Sequence, residues 1–299
     1  MGAAKGGTTA LAKWLSSQSE VFSPAIKEPS FFGSDIDVNL FSEEYRNRVK
    51  LAEGYFDQDP LPPVHMTFLR EANQYNLLYR FADSYKYRVD ASTVYLTSTL
   101  AAQEIFDYNP KAKIVVILRN PAYRAYSHYL MGVQMGLIST SFEKAWKQDL
   151  EASHRGIGQT EMLAECGMYG ASLKRYYDVF PKDQICVLLH EEFNAMTPEF
   201  VQGLSSFLGM DISEQSVSRE NTSSETKYKS LNKWIRNQSA FQMAKQVLSP
   251  VVIKRVKNWM TQDVSPLSDE MRQELLNYYQ TDIEQTEALT GLDLTQWKK

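Results

Sequence analysis

The sequence has few cysteines, no long apolar run and no excess of basic residues. Its two cysteines, Cys166 and Cys186, exclude a disulfide framework and a four-cysteine metal site, so we expect a reducing, cytoplasmic environment. No stretch approaches the ~18 consecutive apolar residues of a membrane span, and no secretory signal is evident. Acidic residues outnumber basic ones, 36 to 32, which argues against a general nucleic-acid-binding protein. A local basic pocket for a nucleotide is compatible with that balance.

The composition that remains is that of a globular protein. Of the 299 residues, 43% are hydrophobic and 23% are charged, and no internal repeat is present. A chain of this length can bury one substantial core. We therefore predict a single domain over residues 1–299, with a helical C-terminal part at 230–299.

A glycine-rich turn near the start of the chain leads directly into an amphipathic helix. Gly2, Gly6 and Gly7 allow the backbone to turn tightly and to approach a ligand closely. Thr8 and Thr9 would then place N–H groups, hydroxyls and a helix N-terminus against an anion. The turn therefore predicts a phosphate-binding site, the alternative being an ordinary turn before a core helix.

This turn resembles a Walker A loop in which the lysine is displaced. Gly2 and Gly7 have the Walker A separation and Thr9 is in place, but Thr8 occupies the lysine position and the lysine is Lys5. A kinase or ATPase needs that lysine on its β- and γ-phosphates, together with magnesium. A cation inside the turn suggests a transferred group with less charge and no metal. A sulfuryl group fits, because it carries one negative charge where a terminal phosphate carries about two.

The run Lys5-Gly6-Gly7-Thr8-Thr9 resembles the 5′-phosphosulfate loop of sulfotransferases that use 3′-phosphoadenosine 5′-phosphosulfate (PAPS). The resemblance implies PAPS as donor, adenosine 3′,5′-bisphosphate (PAP) as product, and no metal. Lys5 would stabilise the charge that develops on the leaving phosphate. The N–H groups of Gly6 to Thr9 would hold the 5′-phosphate.

The same resemblance implies an α/β fold, namely a three-layer P-loop-like fold with a central parallel sheet flanked by helices. In such a fold a buried strand precedes the phosphate loop, and here only residues 1–4 do so. We expect either a very short strand or a sequence that begins inside a longer chain.

A second signal lies about a hundred residues further on. The continuous apolar run at 112–118 predicts a buried parallel strand, and Pro121 suits the first turn of the helix that follows. Arg119 leaves the carboxyl end of that strand, where open α/β sheets bind ligands. With Ser127 eight residues later, Arg119 resembles the 3′-phosphate site of PAPS sulfotransferases, in which the arginine fork and the serine grip the nucleotide.

The family also places a basic loop that closes over the nucleotide near residues 219–230. By this resemblance Lys227 and Lys229 would reach the 3′-phosphate side of the donor. The alternative is that both are solvated surface lysines.

A candidate catalytic base lies in the segment 23–33. Two prolines predict an irregular loop, in which Lys27-Glu28 stands beside apolar aromatic residues and could hold a carboxylate with a raised pKa. Lys-Glu-Pro followed by Phe-Phe resembles the segment that carries the base in bacterial and heparan-type glycan O-sulfotransferases, which marks Glu28. A solvated ion pair on a loop is the alternative for Glu28, and His65 is the alternative base.

The acceptor is less well indicated. Residues 34–86 are rich in tyrosine, and we interpret them as an insertion covering the acceptor cleft, or equally as helices packed on a sheet edge. Asp90-Ala-Ser-Thr93 resembles a family segment in which Ala91 replaces a lysine and Thr93 replaces a proline. The missing lysine weakens the case for a highly acidic glycan.

The expected reaction is transfer of a sulfuryl group to an acceptor hydroxyl, on a glycan by preference. Sulfation of a small-molecule, lipid or carrier-bound polyketide hydroxyl by the same mechanism is the alternative. Two other classes stay open, a metal-dependent P-loop phosphoryl transferase or NTPase and a non-catalytic nucleotide-binding module.

Overall fold

In the computed structural model, which describes residues 1–154, 156–212 and 266–298, every strand pairing of the described residues is parallel. β1 pairs with β4, β2 with β3, and β5 with β6. This mixture of parallel strands and helices confirms the predicted α/β class. The strands are β1 (Val21–Phe22), β2 (Ile26–Glu28), β3 (Val64–Met66), β4 (Tyr87–Arg88), β5 (Ile114–Leu118) and β6 (Ile185–Leu189).

Helices follow or connect these strands. The described α-helices are α1 (Thr8–Ser16), α2 (Glu43–Val49), α3 (Ala72–Leu77), α4 (Ala101–Tyr108), α5 (Pro121–Gln134), α6 (Phe142–Glu151), α7 (Tyr169–Tyr177), α8 (His190–Ala195), α9 (Pro198–Leu208) and α10 (Asp269–Thr290). α10 packs against α7 and α5. Among these described helices, none combines the length and the apolar character needed to cross a bilayer. Of the helical part predicted at 230–299, residues 230–265 lie outside the described residues.

β5 lies at the centre of one part of the core. Its apolar run predicts a strand buried on both faces, and Val116, Ile117 and Leu118 are each 0% exposed. All five of its residues pair in register with β6. Gly2 bridges Ile117 as well, and since a strand has only two edges, Gly2 lies on the edge opposite β6. Within the described residues, the chain before the loop thus meets β5 through an isolated bridge at Gly2 and not through a strand of its own.

The segment 23–33 corrects one prediction. We expected an irregular loop there, but Ile26–Glu28 is a strand whose Glu28 is in register with Met66 of β3. Three residues between two prolines carry no readable alternation, so the strand is stabilised by a partner distant in the sequence. Glu28 thus stands at the carboxyl end of a parallel strand pair.

Two helix starts also differ from the sequence prediction. The run Thr140-Ser-Phe-Glu143 has the pattern of a capping box that starts at Thr140, but Ser141 caps α6 by accepting a hydrogen bond from the Lys144 amide at 3.4 Å. The sequence likewise predicts a helix from Thr97, but the Ser98 hydroxyl accepts a hydrogen bond from the Ala101 amide at 3.0 Å, and α4 begins at Ala101. In both places neighbouring serine and threonine residues compete for the cap, which sequence alone does not resolve.

A buried carboxylate joins α10 to α7. Asp282 is 3% exposed, and both its oxygens accept a hydrogen bond from the Gly170 amide at 3.0 Å. It therefore supplies from another helix the cap that α7 lacks, since no side chain of its own segment caps that helix. A side chain at position 170 would collide with Gln285, because a Cβ there would lie 2.9 Å from that residue.

We expect Asp282→Ala to lower the free energy of unfolding by about 1–3 kcal/mol, because it leaves the buried amides at the start of α7 without an acceptor. Urea denaturation followed by circular dichroism measures the change. Glu274→Ala on the exposed side of the same helix is the control and should change stability by less than about 0.5 kcal/mol. Equal effects of the two substitutions would contradict the capping role.

Candidate active site

The glycine-rich loop lies against the carboxyl end of β5. The Ala3 amide donates a hydrogen bond to the Ile117 carbonyl at 3.2 Å, and the Gly6 amide donates back to the Ala3 carbonyl at 2.8 Å. A Cβ at position 6 would lie only 2.7 Å from the Ile117 oxygen. Because that neighbour is backbone, only glycine fits at this position.

The N-terminus of α1 presents free amide groups at the end of this loop. Gly7 precedes the helix with a φ of 104° and offers no side-chain cap. The amides of Gly7, Thr8 and Thr9 donate to no acceptor within residues 1–154, 156–212 or 266–298. Unsatisfied amides at a helix N-terminus attract anions. The Gly6 amide is already used within the loop, so three of the four expected amides remain for a phosphate.

Lys5 lies beside α5. Its backbone has a φ of 70°, and its Nζ atom is 3.8 Å from the Met131 sulfur. Met131 is one helical turn beyond Ser127 in α5. The predicted cation, Lys5, therefore contacts the same helix that carries the predicted 3′-phosphate serine.

Arg119 lies at the same edge as the loop. Gly6 touches Ile117, and the two residues from there to Arg119 span at most about 7 Å. Burial lowers the pKa of the Arg119 guanidinium, while the negative charge of Glu191 raises it. Glu191 follows His190, whose ring contacts the Gly6 carbonyl at 2.9 Å. The start of α8 is therefore flanked by the loop and by Arg119.

A buried arginine that the sequence analysis did not single out shapes this region. Arg124 is 0% exposed, donates to the Leu163 carbonyl and lies 3.2 Å from Nδ1 of His128. Because a guanidinium only donates, His128 Nδ1 accepts. Burial, followed by the positive charges of Arg124 and Lys5, lowers the pKa of His128 to about 3. In the sequence, the signal that could have indicated this contact is the i, i+4 spacing of Arg124 and His128 within one predicted helix.

Glu28 lies in a cluster of polar groups. It is 4% exposed, and its Oε1 atom is 2.5 Å from Lys27 Nζ. Its Oε2 atom accepts hydrogen bonds from the Thr93 hydroxyl at 2.8 Å and from the Thr93 amide at 3.2 Å. His65, with 68% of its side chain exposed, has Nε2 3.7 Å from Oε1. The two candidate bases are therefore neighbours, and Glu28 is a buried carboxylate.

Two members of this cluster were not expected as site residues. Thr93 stands where the related segment has proline, and a proline would offer Glu28 no amide. Tyr45 of α2 lies over the same strand ends, with its hydroxyl 3.9 Å from the Met66 sulfur. Burial and the charge of Glu28 raise the pKa of Tyr45 to about 12. Lys227 and Lys229 lie outside the described residues.

The comparisons with known proteins agree with this geometry. A family model described as "Sulfotransferase domain" matches residues 1–288. The chain belongs to the sulfotransferase family. The family resemblance expected from the loop and from Arg119 is thus confirmed. Members of this family generally use PAPS and release PAP.

Two known proteins are similar to this sulfotransferase in sequence or in structure. It is 30% identical over 124 residues to the bifunctional heparan sulfate N-deacetylase/N-sulfotransferase 1 of Xenopus laevis, a match that covers 40% of this chain and only 14% of that protein. The crystal structure of a sulfotransferase from Alicyclobacillus acidocaldarius superposes with a TM-score of 0.67 at 25% identity, covering 100% of this chain and 97% of that one. The P-loop-like fold is therefore confirmed.

A third match is more distant. The sulfotransferase domain from the curacin biosynthetic pathway has a TM-score of 0.48 and 13% identity, over 93% of this chain and 95% of that one. A similarity at this level does not indicate the acceptor.

We expect the stability of this sulfotransferase to fall as the pH decreases from about 6.5 towards 3. His128 is neutral when folded, with a pKa of about 3, while the unfolded chain binds the proton near pH 6.5. The unfolded state therefore gains protons first, at up to about 1.4 kcal/mol per pH unit. Urea denaturation across this range should show a shallower slope for His128→Gln, and an unchanged slope would contradict the assignment.

Proposed function

We propose that this sulfotransferase takes its sulfuryl group from PAPS and transfers it to a hydroxyl of a carbohydrate acceptor. The observation that supports the donor is that the amides of Gly7, Thr8 and Thr9, at the same sheet edge as Arg119, donate to no acceptor in the described part of the chain. A nucleotide that carries one phosphate on the 5′ side of its ribose and another on the 3′ side fits such a pair of sites.

The residues present fit the nucleotide. Because Gly6 leaves no room for a side chain against the Ile117 carbonyl, the loop packs directly on the end of β5, with the amides of Gly7, Thr8 and Thr9 following at the start of α1. The amides of Gly7, Thr8 and Thr9 would hold the 5′-phosphate, and Arg119 with Ser127 would hold the 3′-phosphate. PAPS, when bound, supplies the activated sulfuryl group. Lys5 would offset the charge on the phosphate side of the bond that breaks.

Glu28 is proposed as the base that takes the acceptor proton. Thr93 donates twice to Oε2, and Lys27 lies against Oε1, so donors hold the carboxylate in one orientation. Oε1 also faces His65, the most exposed member of the cluster, and we expect the proton to arrive at that oxygen. His65 is the second candidate, because it reaches the same place from β3.

A carbohydrate acceptor is proposed on two grounds. The segment Lys27 to Phe32 resembles that of glycan sulfotransferases, and the Xenopus relative is a heparan sulfate N-sulfotransferase by name. An open cavity of about 550 Å³ lies beyond the end of β3, lined by Arg46, Thr67 and Phe68 among others. Thr67, which follows β3, donates its backbone amide to the backbone carbonyl of Glu28 at 2.9 Å, so the wall of this cavity is joined to the strand that carries the proposed base. We propose that it accommodates part of the acceptor.

We also propose a cytoplasmic protein formed by one domain. Both cysteines, Cys166 and Cys186, are free in the structure, which suits a reducing compartment. Burial raises the pKa of each thiol to about 11, so neither is poised as a nucleophile.

Glu28→Gln should lower kcat by about 10²–10⁴ while leaving the affinity for PAP unchanged, because an amide cannot take the acceptor proton. Transfer from labelled PAPS to a panel of saccharides and small hydroxyl compounds measures the rate, and Glu53→Gln on the exposed surface is the control. His65→Gln decides between the two bases. If it abolishes transfer while Glu28→Gln does not, His65 is the base.

Arg119→Ala should weaken PAP binding about 10- to 100-fold, because the 3′-phosphate loses a charged hydrogen-bonding partner worth about 1.5–3 kcal/mol. Calorimetry with PAP measures the affinity.

Lys5→Ala should instead lower kcat about 10²–10³-fold. The chelator EDTA should leave transfer unchanged, and its loss on chelation would favour a metal-dependent mechanism.

A further inference from the structure

His190 links the end of β6 to the glycine-rich loop. It is the first residue of α8, and its Nδ1 atom lies 2.9 Å from the Gly6 carbonyl oxygen. Its other ring nitrogen, Nε2, lies 2.8 Å from Nδ2 of Asn194, one turn further along the same helix. Both edges of the ring are therefore engaged by neighbouring groups.

These contacts define the proton positions on the ring. A carbonyl oxygen only accepts, so Nδ1 of His190 carries a proton and donates it to Gly6. Nε2 then accepts a hydrogen bond from the side-chain amide of Asn194. Asn194 thereby holds the tautomer in which Nδ1 is the donor.

The direction of one carbonyl fixes the direction of the next amide. In a planar trans peptide, the Gly6 C=O and the Gly7 N–H belong to one rigid unit and point in opposite directions. With its oxygen held at His190, this unit aims the Gly7 N–H away from the ring. That N–H is one of the three amides at the start of α1 that donate to no described residue.

The sequence by itself does not hold this peptide in place. Gly6 and Gly7 both lack a Cβ, and glycine adopts positive and negative φ with similar ease, so the unit between them can turn over. Turning it over would point the Gly6 oxygen at the bound anion and withdraw the Gly7 N–H. The histidine ring also limits the space, since a Cβ on Gly7 would lie 2.7 Å from its Nδ1.

We propose that His190 is a positioning residue that selects the orientation of the Gly6–Gly7 peptide in which the Gly7 N–H faces the 5′-phosphate of the donor. Asn194 orients the ring of His190 for this role. The proposal rests on the donor site proposed above, and it adds a residue from the end of the neighbouring strand β6 to the groups that shape the loop.

Three substitutions at position 190 test the direction of the hydrogen bond. His190→Asn keeps a donor near the place of Nδ1 and should leave the Kd for PAP within about threefold. His190→Leu removes the donor and should weaken binding about tenfold. His190→Asp sets an acceptor against the carbonyl and should weaken PAP binding further. Calorimetry measures each Kd, and Glu192→Gln, an exposed change on the same helix, is the control.

Kinetics and spectroscopy separate positioning from a general loss of structure. In His190→Leu the KM for PAPS should rise while the KM for the acceptor stays constant. Heteronuclear NMR of the unmodified enzyme should show a protonated Nδ1 and an unprotonated Nε2 on His190. This measurement does not depend on whether any variant folds, and Asn194→Leu gives a second variant with an intact histidine.

The outcomes are distinguishable. If the unmodified enzyme binds PAP and folded His190→Leu binds it equally well, the positioning role is overturned while the donor site stands. A proton on Nε2 instead of Nδ1 overturns it as well. If the unmodified enzyme does not bind PAP, the donor site itself fails, and the role of His190 fails with it.

Discussion

The contact between the glycine-rich loop and the end of β5 fixes the position of the proposed donor site. Backbone meets backbone there, with the Ala3 amide on the Ile117 carbonyl and Gly6 too close to that oxygen for any side chain. The amides that follow this contact, those of Gly7, Thr8 and Thr9, donate to no acceptor among the described residues. Arg119 leaves the same strand, so the two candidate phosphate sites are fixed relative to each other by two residues of chain.

The parts of this site that the sequence predicts are those encoded locally. The loop is a contiguous motif, and the apolar run that becomes β5 is followed at once by Arg119. Each can be recognised without knowing what it packs against, because the residue types and their spacing determine the backbone within a few positions. The order of the two motifs then suffices to predict the family and its fold.

The surroundings of Glu28 could not be predicted from the sequence, because they are not encoded locally. β2 has three residues, and its partner β3 lies within the segment 34–86, where no pattern predicts a strand. His65 meets Glu28 only because β2 pairs with β3, whereas Thr93 reaches Glu28 from the segment after β4, in which the Ala91 amide donates to the Lys27 carbonyl. Such contacts depend on the register of short strands, which is set by tertiary packing rather than by local preference.

The departures from the family pattern carry information about this particular chain. Thr93 replaces a proline and so contributes an amide as well as a hydroxyl to Oε2 of Glu28. Ala91, which replaces a lysine, is buried and brings no charge. Lys27 therefore supplies the cation closest to the carboxylate, and His65 supplies its exposed neighbour. The ionisable neighbours of the proposed base thus come from β2 and β3, whereas the Asp90 segment contributes the uncharged donors of Thr93.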